Sequence, residues 1–399
     1  MKKQPIIIGI DGGASKVSAY VIEVSKDSKS FSLGKHHSSE EYRDYNDFQM
    51  DFESVDLSTQ LSHINDNIIQ LTVAELLQSN AYYRAFSDTI SDLVKLTKAE
   101  NVLVGIGIPG IKTADKRGII AMANGPRMPN FATEIEQRLN NSGIVLATPI
   151  TKLGSDADYC GIGEEYAENG AFRAINNAYY LGGGTGAADA LKLHGKLVTF
   201  DECRSWIAKT WEMCDGSGRS LEKYCSAHGI QTLYSELSGI PQLELNKNNI
   251  YLEQILKFAA NNDKTAIETW QTVSKKLAEL LFERISTIFY GWENNFSFVN
   301  HDKLPLISTH IYINTLLDKI IISQRLGEIF CSSIAKEYFV DPLINYLSEL
   351  INTSDSLSDR AKAHYIKSGN FDSNIIIASE LIEAPALGAG IDAFKNFIL

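Results

Sequence analysis

The sequence predicts an α/β protein built from two related lobes. Its 399 residues are too many for one ordinary core and suit two domains of roughly 150–200 residues each. Apolar runs with strand periodicity alternate along the chain with segments of helical periodicity. Residues 6–23 and 178–195 follow one plan: an apolar strand, a glycine turn with Ser or Thr, and a second strand. This repetition predicts two lobes of similar architecture, packed around a cleft.

The first half of the chain reads as a strand-rich segment followed by helices and further strands. Strands are predicted over 6–10 and 17–24 around the first glycine turn, and polar hairpin strands within 28–52. Apolar spacing predicts one or two helices within 57–98, followed by a buried strand over 102–108 that ends in a Pro-Gly turn. A short strand at 119–120, a helix over 131–139 and a strand over 144–149 complete this half.

The second half repeats the alternation. A helix is predicted over 157–167, and strands over 178–181 and 187–193 flank the second glycine turn. Helical periodicity marks residues 220–227, 250–261 and 264–290. A buried strand over 319–322, a helix over 327–337, a strand over 374–378 and a final helix over 386–397 follow.

Composition excludes several functional classes. The net charge of −12 disfavours binding to nucleic acid or an anionic membrane surface, which requires a basic face. No run of about 18 apolar residues is present, and the start of the chain lacks the pattern of a signal peptide. The five cysteines are widely spaced and form no C-x-x-C pair, as expected for reduced thiols. We therefore expect a cytoplasmic protein.

Each glycine turn is a candidate anion site. Glycine lets backbone N–H groups converge in a concave nest and lets a ligand approach closely. The candidate phosphate-binding residues are Asp11, Gly12, Gly13, Ser15 and Lys16 in the first turn and Gly183, Gly184, Thr185 and Gly186 in the second. Neither turn has the spacing of a P-loop or a Rossmann turn, both of which open a helix. A plain β-hairpin is the alternative interpretation of either turn.

Asp11 lies within the first glycine turn. A carboxylate beside phosphates is repulsive unless a cation lies between them, and Mg²⁺ is usually held by one or two carboxylates together with phosphates. Asp11 is therefore a candidate Mg²⁺ ligand. The alternative is an aspartate that only stabilises the turn.

Several segments together resemble one family. "GIDGGASK" and "YLGGGTGAA" are similar to the two phosphate motifs of the sugar kinase and actin superfamily, and within it the ROK family (repressors, open reading frames and sugar kinases) matches best. "GIGIPGIKTADKRGII", "ANGPRMPNF", "LGSDADYCGIGEE", "GRSLEKYCS" and "EAPALGAGIDAF" resemble further elements of that family, in the same order. The ordered set covers most of the chain.

The resemblance implies two ribonuclease-H-like lobes of the actin-like ATPase fold. The N-terminal lobe would comprise residues 1–150 and 377–399, and the C-terminal lobe residues 151–376. It also implies ATP and Mg²⁺ in the cleft, a hexose or hexosamine as phosphoryl acceptor, and a homodimer. On this basis the chain is expected to be an ATP-dependent, glucokinase-like sugar kinase that transfers the γ-phosphoryl group of ATP to a sugar hydroxyl.

The resemblance also implies roles for individual residues. Asp156 would be the general base, Gly327 would border the nucleotide, and the sugar would contact Gly110, Asn124, Ser155, Asp156, Glu202 and Glu222. Each has a structural alternative. Ser155 or Asp156 would cap the helix that begins near residue 157. Glu222 would be an exposed helical glutamate, while Asn124 and Gly110 would serve turns.

The chain departs from the family at the sugar and zinc elements. Family members carry Glu-x-Gly-His and then Cys-x-Cys-Gly-x-x-Gly-Cys-x-Glu, whose His and three Cys hold a structural zinc. Here the stretch reads "MCDGSGRSLE", with Met213, Asp215 and Ser220 at the cysteine positions and Cys214 beside them. A tetrahedral zinc site cannot be built from these side chains, so no structural zinc is expected. In addition, Ser155 replaces the family's Asn, and "SQRLG" stands where two glycines are expected.

These departures leave alternatives to a kinase. The chain would otherwise be a non-catalytic sugar-binding or regulatory member of the family, or a BadF-like phosphotransferase. The phosphate motif begins at residue 6, which disfavours the N-terminal helix-turn-helix of the family's repressors. Retention of Asp11, Asp156 and both glycine turns favours the kinase.

Overall fold

The computed structural model describes residues 4–66, 68–292, 296–299 and 303–398. The chain forms two compact units, Met1–Gly170 with Glu383–Leu399, and Ala171–Ile382. The sequence placed the boundaries at 150/151 and 376/377, so the first lies 20 residues later than expected. The physical reason is that the helix bearing Asp156 packs on the C-terminal helix and thereby belongs to the first unit.

The first unit begins with the predicted strand–turn–strand. Up to Gly170 its elements are β1 (Ile6–Gly12), β2 (Lys16–Val24), β3 (Phe31–Glu41), α1 (Leu57–Asn65), α2 (Val73–Thr97), β4 (Val102–Gly107), β5 (Ile111–Lys112), β6 (Ile119–Ala121), α3 (Phe131–Asn141), β7 (Leu153–Gly154) and α4 (Asp156–Tyr166), with a single helical turn at Tyr42–Asp44.

The second unit has the same opening and is richer in helices. Its elements are β8 (Ala178–Gly183), β9 (Ala187–Leu193), β10 (Lys196–Val198), α5 (Phe200–Cys203), β11 (Met213–Cys214), α6 (Glu222–Cys225), α7 (Ala227–Ser238), α8 (Gln242–Lys247), α9 (Leu252–Ala260), α10 (Lys264–Phe289), β12 (Ser297–Phe298), β13 (Lys319–Ser323), α11 (Gln324–Phe330), α12 (Asp341–Thr353), α13 (Asp359–Tyr365), β14 (Ile366–Lys367), β15 (Asn370–Phe371) and β16 (Ile376–Ala378). Helix α14 (Ala384–Ile398) then returns to the first unit.

The two main sheets share one plan. In the first unit the strand order is β3-β2-β1-β4-β7, and in the second it is β10-β9-β8-β13-β16. In each sheet the first three strands in this order pair antiparallel. The third of them, β1 or β8, is the first strand of the glycine-turn hairpin, and it continues the sheet by pairing parallel with β4 or β13, which pairs parallel with the last strand. The predicted α/β class with two sheets of one design is confirmed.

The parallel strands of the first sheet bring distant residues to one edge. Asp11 of β1 pairs with Gly107 of β4, and Gly107 pairs with Gly154 of β7. Because the carboxyl ends of parallel strands meet at the same edge, the residues that follow β7 lie beside Asp11. The fold therefore places Ser155 and Asp156 next to the first glycine turn.

Helix α14 lies directly on the backbone of β1 and β4. A methyl group at Gly9 would be 1.9 Å from the carbonyl oxygen of Ala386, and one at Gly105 would be 1.9 Å from that of Ala389. Such an approach is possible only where neither strand carries a Cβ atom. These contacts fix the position of α14, and with it the residue that precedes the helix.

The same helix packs closely on α4. A methyl group at Gly388 would lie 1.9 Å from the carbonyl oxygen of Tyr159, and one at Gly163 would lie 2.5 Å from that of Ala384. The Tyr159 hydroxyl donates a hydrogen bond of 3.1 Å to Asp392 of α14. Small residues on both helices therefore hold the start of α4, where Asp156 lies.

A buried ion pair holds the segment that follows β6. The guanidinium of Arg127, fully buried, donates to both carboxylate oxygens of Glu75, at 2.6 Å and 2.7 Å. It also contacts the ring of His63 at 2.9 Å. Glu75 caps α2 at the same time, since its carboxylate accepts from the backbone N–H of Thr72. Because both charges are paired and hydrogen-bonded, this buried pair anchors the "ANGPRMPNF" segment to α1 and α2.

A buried polar network organises the second unit. Asp189 of β9 accepts hydrogen bonds from the Tyr179 hydroxyl at 2.6 Å, from Thr210 Oγ1 at 2.6 Å and from the Arg284 guanidinium at 2.9 Å. Arg284 lies on α10 with its charge over the Tyr179 ring, 5.1 Å from the centroid. The network therefore ties the strands of the second hairpin to the longest helix of this unit.

Two sequence-based elements were wrong. Residues 144–149 form only an isolated bridge at Leu146, with Val145 exposed, and the sheet is extended instead by Leu153–Gly154. The helix expected over 327–337 instead spans Gln324–Phe330. Within the described residues, no helix is both long and apolar enough to cross a membrane.

We expect Gly9→Ala and Gly105→Ala to lower the free energy of unfolding by about 2–4 kcal/mol, because each new methyl group would meet backbone that cannot rotate away. Gly216→Ala is the control, since a methyl group there meets open space, and it should change stability by less than about 0.5 kcal/mol. Chemical denaturation of the three variants measures this. Equal stability of all three would contradict the packing described for α14.

Candidate functional site

The first glycine turn is held by a buried tyrosine. The Gly13 N–H donates to the Lys16 carbonyl at 2.9 Å, and Tyr42 donates its hydroxyl to the Gly13 carbonyl and its N–H to the Ser15 carbonyl, both at 3.1 Å. The Tyr42 ring is fully buried and stacks on Tyr82 with 3.8 Å between centroids. The conformation of the turn is therefore fixed by hydrogen bonds to its backbone carbonyls, while the side chains of Ser15 and Lys16 are exposed.

Three carboxylates gather beside this turn. Asp11 is the last but one residue of β1, Asp156 begins α4, and Glu383 directly precedes α14. Burial, then the charges of Asp156 and Glu383, raise the pKa of the Asp11 carboxyl to about 7, and the ammonium of Lys16 opposes them only in part. The site thus concentrates more negative charge than its own cations balance.

Asp156 is the first residue of α4 and Ser155 is its N-cap. The Ser155 side chain makes no capping hydrogen bond, so the capping alternative is not supported for this residue. Within the described part of the chain, no hydrogen bond or ion pair reaches the Asp156 carboxylate. Its half-buried side chain lies at a helix N-terminus, where the helix dipole favours a negative charge.

A tyrosine joins the acidic group to the neighbouring hairpin. Tyr20 of β2 hydrogen-bonds to Glu383, and burial, together with the charges of Glu383 and Asp11, raises the pKa of its hydroxyl far above the usual range. Its ring stacks on His37 of β3, with 5.6 Å between centroids. Tyr20 therefore keeps its proton and holds Glu383 beside Asp11.

The second glycine turn is flanked by two side chains. Glu222, the first residue of α6, accepts a hydrogen bond of 2.9 Å from the Ala187 N–H, and its Oε1 lies 2.8 Å from where a methyl group on Gly186 would be. At the other end of the turn, Gln324 Oε1 lies 2.5 Å from the corresponding position on Gly184. The structure thus joins Glu222 to this turn, which the sequence did not predict.

The remaining predicted residues lie in local roles. Gly110 has φ +101° in the turn after β4, and Asn124 is exposed in a turn after β6. Glu202 is exposed and caps α5, since its carboxylate accepts from the Thr199 N–H at 3.0 Å. Gly327 lies inside α11, against the Ile322 carbonyl, and does not open the helix. Gly183 packs against Leu326 and the Cys225 carbonyl at the end of β8.

A carboxylate organises the loop where the family's zinc would lie. Asp215 accepts hydrogen bonds from the Ser217 N–H and hydroxyl, the Arg219 N–H and the Tyr224 hydroxyl, at 2.6–3.1 Å. Burial would raise the pKa of the Asp215 carboxyl, but these hydrogen bonds hold it below its usual value. Cys214 lies next to it on a two-residue strand. The conformation of this loop is thus held by hydrogen bonds to the Asp215 carboxylate.

The acidic group fits a divalent cation bound together with phosphates. Across residues 4–66, 68–292, 296–299 and 303–398, no three His, Cys, Asp or Glu side chains are arranged as a complete metal site. Mg²⁺, however, usually takes one or two carboxylates and completes its coordination with water and phosphate. The uncompensated charge around Asp11 and its all-oxygen donor set suit that mode of binding.

Comparison with known proteins identifies the family. The model described as the ROK family matches residues 64–289, more than half of the chain. The chain belongs to the ROK family. A comparison with curated proteins finds no match.

Solved structures show that the fold is shared with other ROK proteins. The chain is similar to a ROK family glucokinase from Streptomyces griseus in complex with glucose and AMPPNP, with a TM-score of 0.58 and 14% identity over 98% of this chain and 99% of that one. It is also similar to a ROK hexokinase from Thermus thermophilus, with a TM-score of 0.52 and 12% identity over 98% of each chain.

A regulator shares the fold as well. The structure of a ROK family transcriptional regulator, a homologue of the E. coli MLC protein, matches with a TM-score of 0.53 and 12% identity over 98% of this chain and 78% of that one. The ROK fold, with two sheets of the actin-like ATPase type, is therefore established for this chain. Fold alone does not separate kinases from regulators.

Sequence reasoning missed four residues beside the two turns, and Tyr20 is one of them, since it stands in β2 like any other strand residue. Tyr42 follows a polar stretch that carries no motif, so nothing in the sequence marked it. Glu383 stands immediately before the recognised "APALGAG" helix, and a carboxylate at that position was a usable signal. Gln324 was noticed only as part of "SQRLG", where glycine was expected.

We expect Asp11→Asn to stabilise the protein at pH 8 by about 1–4 kcal/mol in the absence of Mg²⁺. The folded state keeps the Asp11 proton up to about pH 7, whereas the unfolded chain loses it near its ordinary pKa. The stability of the wild type therefore falls as pH rises from about 4 to 7 and then levels, and the advantage of the variant disappears near pH 4. Denaturant titration across this range measures it.

Asp51→Asn is the control for this series, because that carboxyl is exposed. It should leave stability within about 0.5 kcal/mol of the wild type at every pH. If the Asp11→Asn variant were less stable than the wild type at pH 8, the ionised Asp11 carboxylate would not be destabilised by burial and by the neighbouring acids.

The loop around Asp215 yields a prediction about metal. We expect less than about 0.1 zinc per purified chain, and a melting temperature that chelators leave unchanged. Asp215→Asn should lower the free energy of unfolding by about 1–3 kcal/mol, since charge-assisted hydrogen bonds are lost. Asp355→Asn, at an exposed bend, is the control. Stoichiometric zinc by elemental analysis would refute the zinc-free loop.

Proposed function

We propose that this ROK protein is an ATP-dependent sugar kinase that phosphorylates a hydroxyl of a hexose, amino-hexose or N-acetyl-hexose. The observation that carries the proposal is the approach of Asp11 and Asp156 at the carboxyl edge of β1, β4 and β7, close enough for Asp156 to raise the pKa of Asp11. Phosphoryl transfer needs a carboxylate for the cation and another for the acceptor hydroxyl, and the two are supplied here by strand β1 and by the start of helix α4.

In this mechanism Asp156 accepts the proton of the acceptor hydroxyl. Its carboxylate is half-buried at a helix N-terminus and within the described chain has no hydrogen-bond partner of its own, so it is available to a substrate. The transition state of phosphoryl transfer is loose, and the base chiefly orients the hydroxyl and takes its proton late.

Asp11 would hold Mg²⁺ together with the phosphates of ATP. When bound there, Mg²⁺ would supply positive charge to offset the negative charge of the transferring phosphoryl group. Glu383, held by Tyr20, keeps the local potential negative and so strengthens the attraction of Asp11 for a cation. Lys16 and Ser15, exposed on the first turn, are suited to contact phosphate oxygens.

The second turn, residues 183–186, would hold the nucleotide phosphates through backbone N–H groups and the Thr185 hydroxyl, with Gly327 in the helix that follows the neighbouring strand. The sugar would contact Ser155 and Asp156 in the first unit, with Gly110, Asn124, Glu202 and Glu222 as further candidates. Two glucose- and hexose-phosphorylating relatives with this fold support the substrate class.

A sugar-binding regulator without turnover is the second candidate. The shared fold with a ROK transcriptional regulator supports it, as do Ser155 at the family's Asn position and the absence of Glu-x-Gly-His. The ROK family match decides against the BadF-like alternative.

A screen of acceptors distinguishes the two candidates. Hexoses, hexosamines and N-acetyl-hexosamines are incubated with Mg-ATP, and ADP release and thermal stability are recorded for each. The kinase proposal expects sugar-dependent ADP release from at least one acceptor. A sugar that raises the melting temperature while none is phosphorylated would favour the regulator.

With the acceptor found, we expect Asp156→Asn to fold normally, to bind sugar and nucleotide, and to lose turnover by at least about 100-fold, because the amide cannot accept the proton. Asp158→Asn is the matched control: it removes the same charge from the first turn of α4 but projects from another face of the helix. Similar rates for the two variants would remove Asp156 from the mechanism.

A further inference from the structure

Helix α1 is anchored to the first unit through polar side chains, while its leucines are exposed. Gln60, fully buried, accepts a hydrogen bond of 2.8 Å from the Met122 N–H and donates one of 3.1 Å to the Met122 carbonyl. Leu57 and Leu61, four residues apart on another side of the helix, are exposed. A surface helix ordinarily buries its apolar side, so this arrangement leaves an apolar surface without a partner in the described chain.

The exposed apolar surface continues through the following turn onto α2. Val73, Leu76 and Leu77 are exposed at the start of α2, and their spacing places them on one side of that helix. Together with the leucines of α1 they form what we call the neutral face, whose members are Leu57, Leu61, Ile68, Ile69, Val73, Leu76 and Leu77.

One buried side chain holds the parts of the neutral face together. The guanidinium of Arg127 contacts the ring of His63 in α1 at 2.9 Å, the Gln70 carbonyl in the turn at 2.8 Å and the Glu75 carboxylate in α2 at 2.6 Å. Because a single guanidinium reaches all three, the end of α1 and the start of α2 lie side by side. The aliphatic side chains on their exposed sides therefore form a continuous surface.

The area of the neutral face is large enough for an interface. Its side chains are between 36% and 74% exposed and together present roughly 600 Å² of apolar surface, the upper limit for the largest patch on a typical monomer, and such patches mark interaction sites. A stable protein–protein interface buries about 800 Å² on each partner. Two neutral faces packed on one another, with polar side chains around them, reach that area.

The distribution of charge favours a second copy of this chain as the occupant. With a net charge of −12, two copies repel each other over most of their surface. Residues 57–77 contain only two acids, of which Glu75 is buried and paired with Arg127. The same segment contains no lysine or arginine, so it lacks the cations that attach a protein to an anionic membrane. A basic partner would be attracted to the acidic remainder of the surface instead.

We propose that the neutral face is an interface between two copies of this chain, in which α1 and the start of α2 of one copy pack on the same helices of the other. Aliphatic side chains three and four residues apart form the ridges by which helices pack, and a two-fold interface joins the same patch of both copies. The family match begins at residue 64, so α1 lies largely outside it. The interface is independent of the proposed kinase function.

Sedimentation equilibrium of the full chain at about 1–100 μM tests the proposal. The wild type is expected at twice the mass of one chain. The double variant Val73→Glu/Leu76→Glu brings carboxylates of the two copies together, and should weaken association at least about 100-fold, because charges that lose water without a partner oppose it. Both side chains are exposed, so the fold should persist, which circular dichroism checks.

Leu96→Glu is the matched control. Leu96 is also an exposed leucine of α2, but it lies about 30 Å further along the helix than Leu76, and its substitution should leave the dimer unchanged. A wild type that stays monomeric would overturn the inference and leave the face to a different protein. A double variant that dimerises like the wild type, or a control that dissociates to the same extent as the double variant, would overturn it as well.

Hydrogen exchange of the wild type is a second measurement that needs no substitution. Backbone amides of α1 and of the first turns of α2 should exchange more slowly at concentrations where the dimer forms than at concentrations where it dissociates. Slower exchange only in other parts of the chain, or none at all, would refute this interface even if the double variant failed to fold.

Discussion

The contact of helix α14 with the bare backbone of β1 and β4 is the constraint on which the first unit depends. Gly9 and Gly105 allow the helix to lie on the sheet at a distance that any Cβ atom would prevent. The helix in turn holds α4 through Gly388 and Gly163. Glu383 immediately precedes α14, and Asp156 is the first residue of α4. The packing of these helices therefore determines which carboxylates lie near the end of β1.

The meeting of these carboxylates works against stability. Asp11 is held where its charged form is disfavoured by burial and by two neighbouring acids, as its pKa of about 7 indicates. A fold selected only for stability would place a lysine or arginine here, as it does for Glu75 with Arg127 and for Asp189 with Arg284. The difference between these balanced pairs and the unbalanced site is the strongest electrostatic argument that the edge of the first sheet binds a cation and a phosphorylated ligand.

Much of this arrangement could be predicted from the sequence, for identifiable reasons. Strands β1, β2, β4 and β8 are apolar runs bounded by glycine or proline, and their turn chemistry marks Asp11 and residues 183–186. Asp156 was found through its position at a strand-to-helix junction and through the family resemblance.

The strand prediction for residues 144–149 was wrong because an apolar run with Pro149 at its end does not reveal whether a neighbouring strand is in register. The division of the chain after Gly170 follows from the packing of α4 on α14, which depends on contacts more than 200 residues apart in sequence. Tyr42 and Glu383 reach the site through tertiary packing, which no local pattern encodes.

The two glycine turns differ in chemistry although their sequences follow one plan. The first is held from behind by the Tyr42 hydroxyl and N–H on its carbonyls, and its surroundings are three acids with one exposed lysine. The second is bounded by the Glu222 carboxylate at one end and the Gln324 amide at the other. Each glycine turn therefore offers backbone N–H groups as hydrogen-bond donors. The side chains contributed by other elements determine which ligand each turn can bind. For the first, that environment suits a cation bridging to phosphate. For the second, the Glu222 carboxylate makes one end negative, while the side chain at the other end is uncharged.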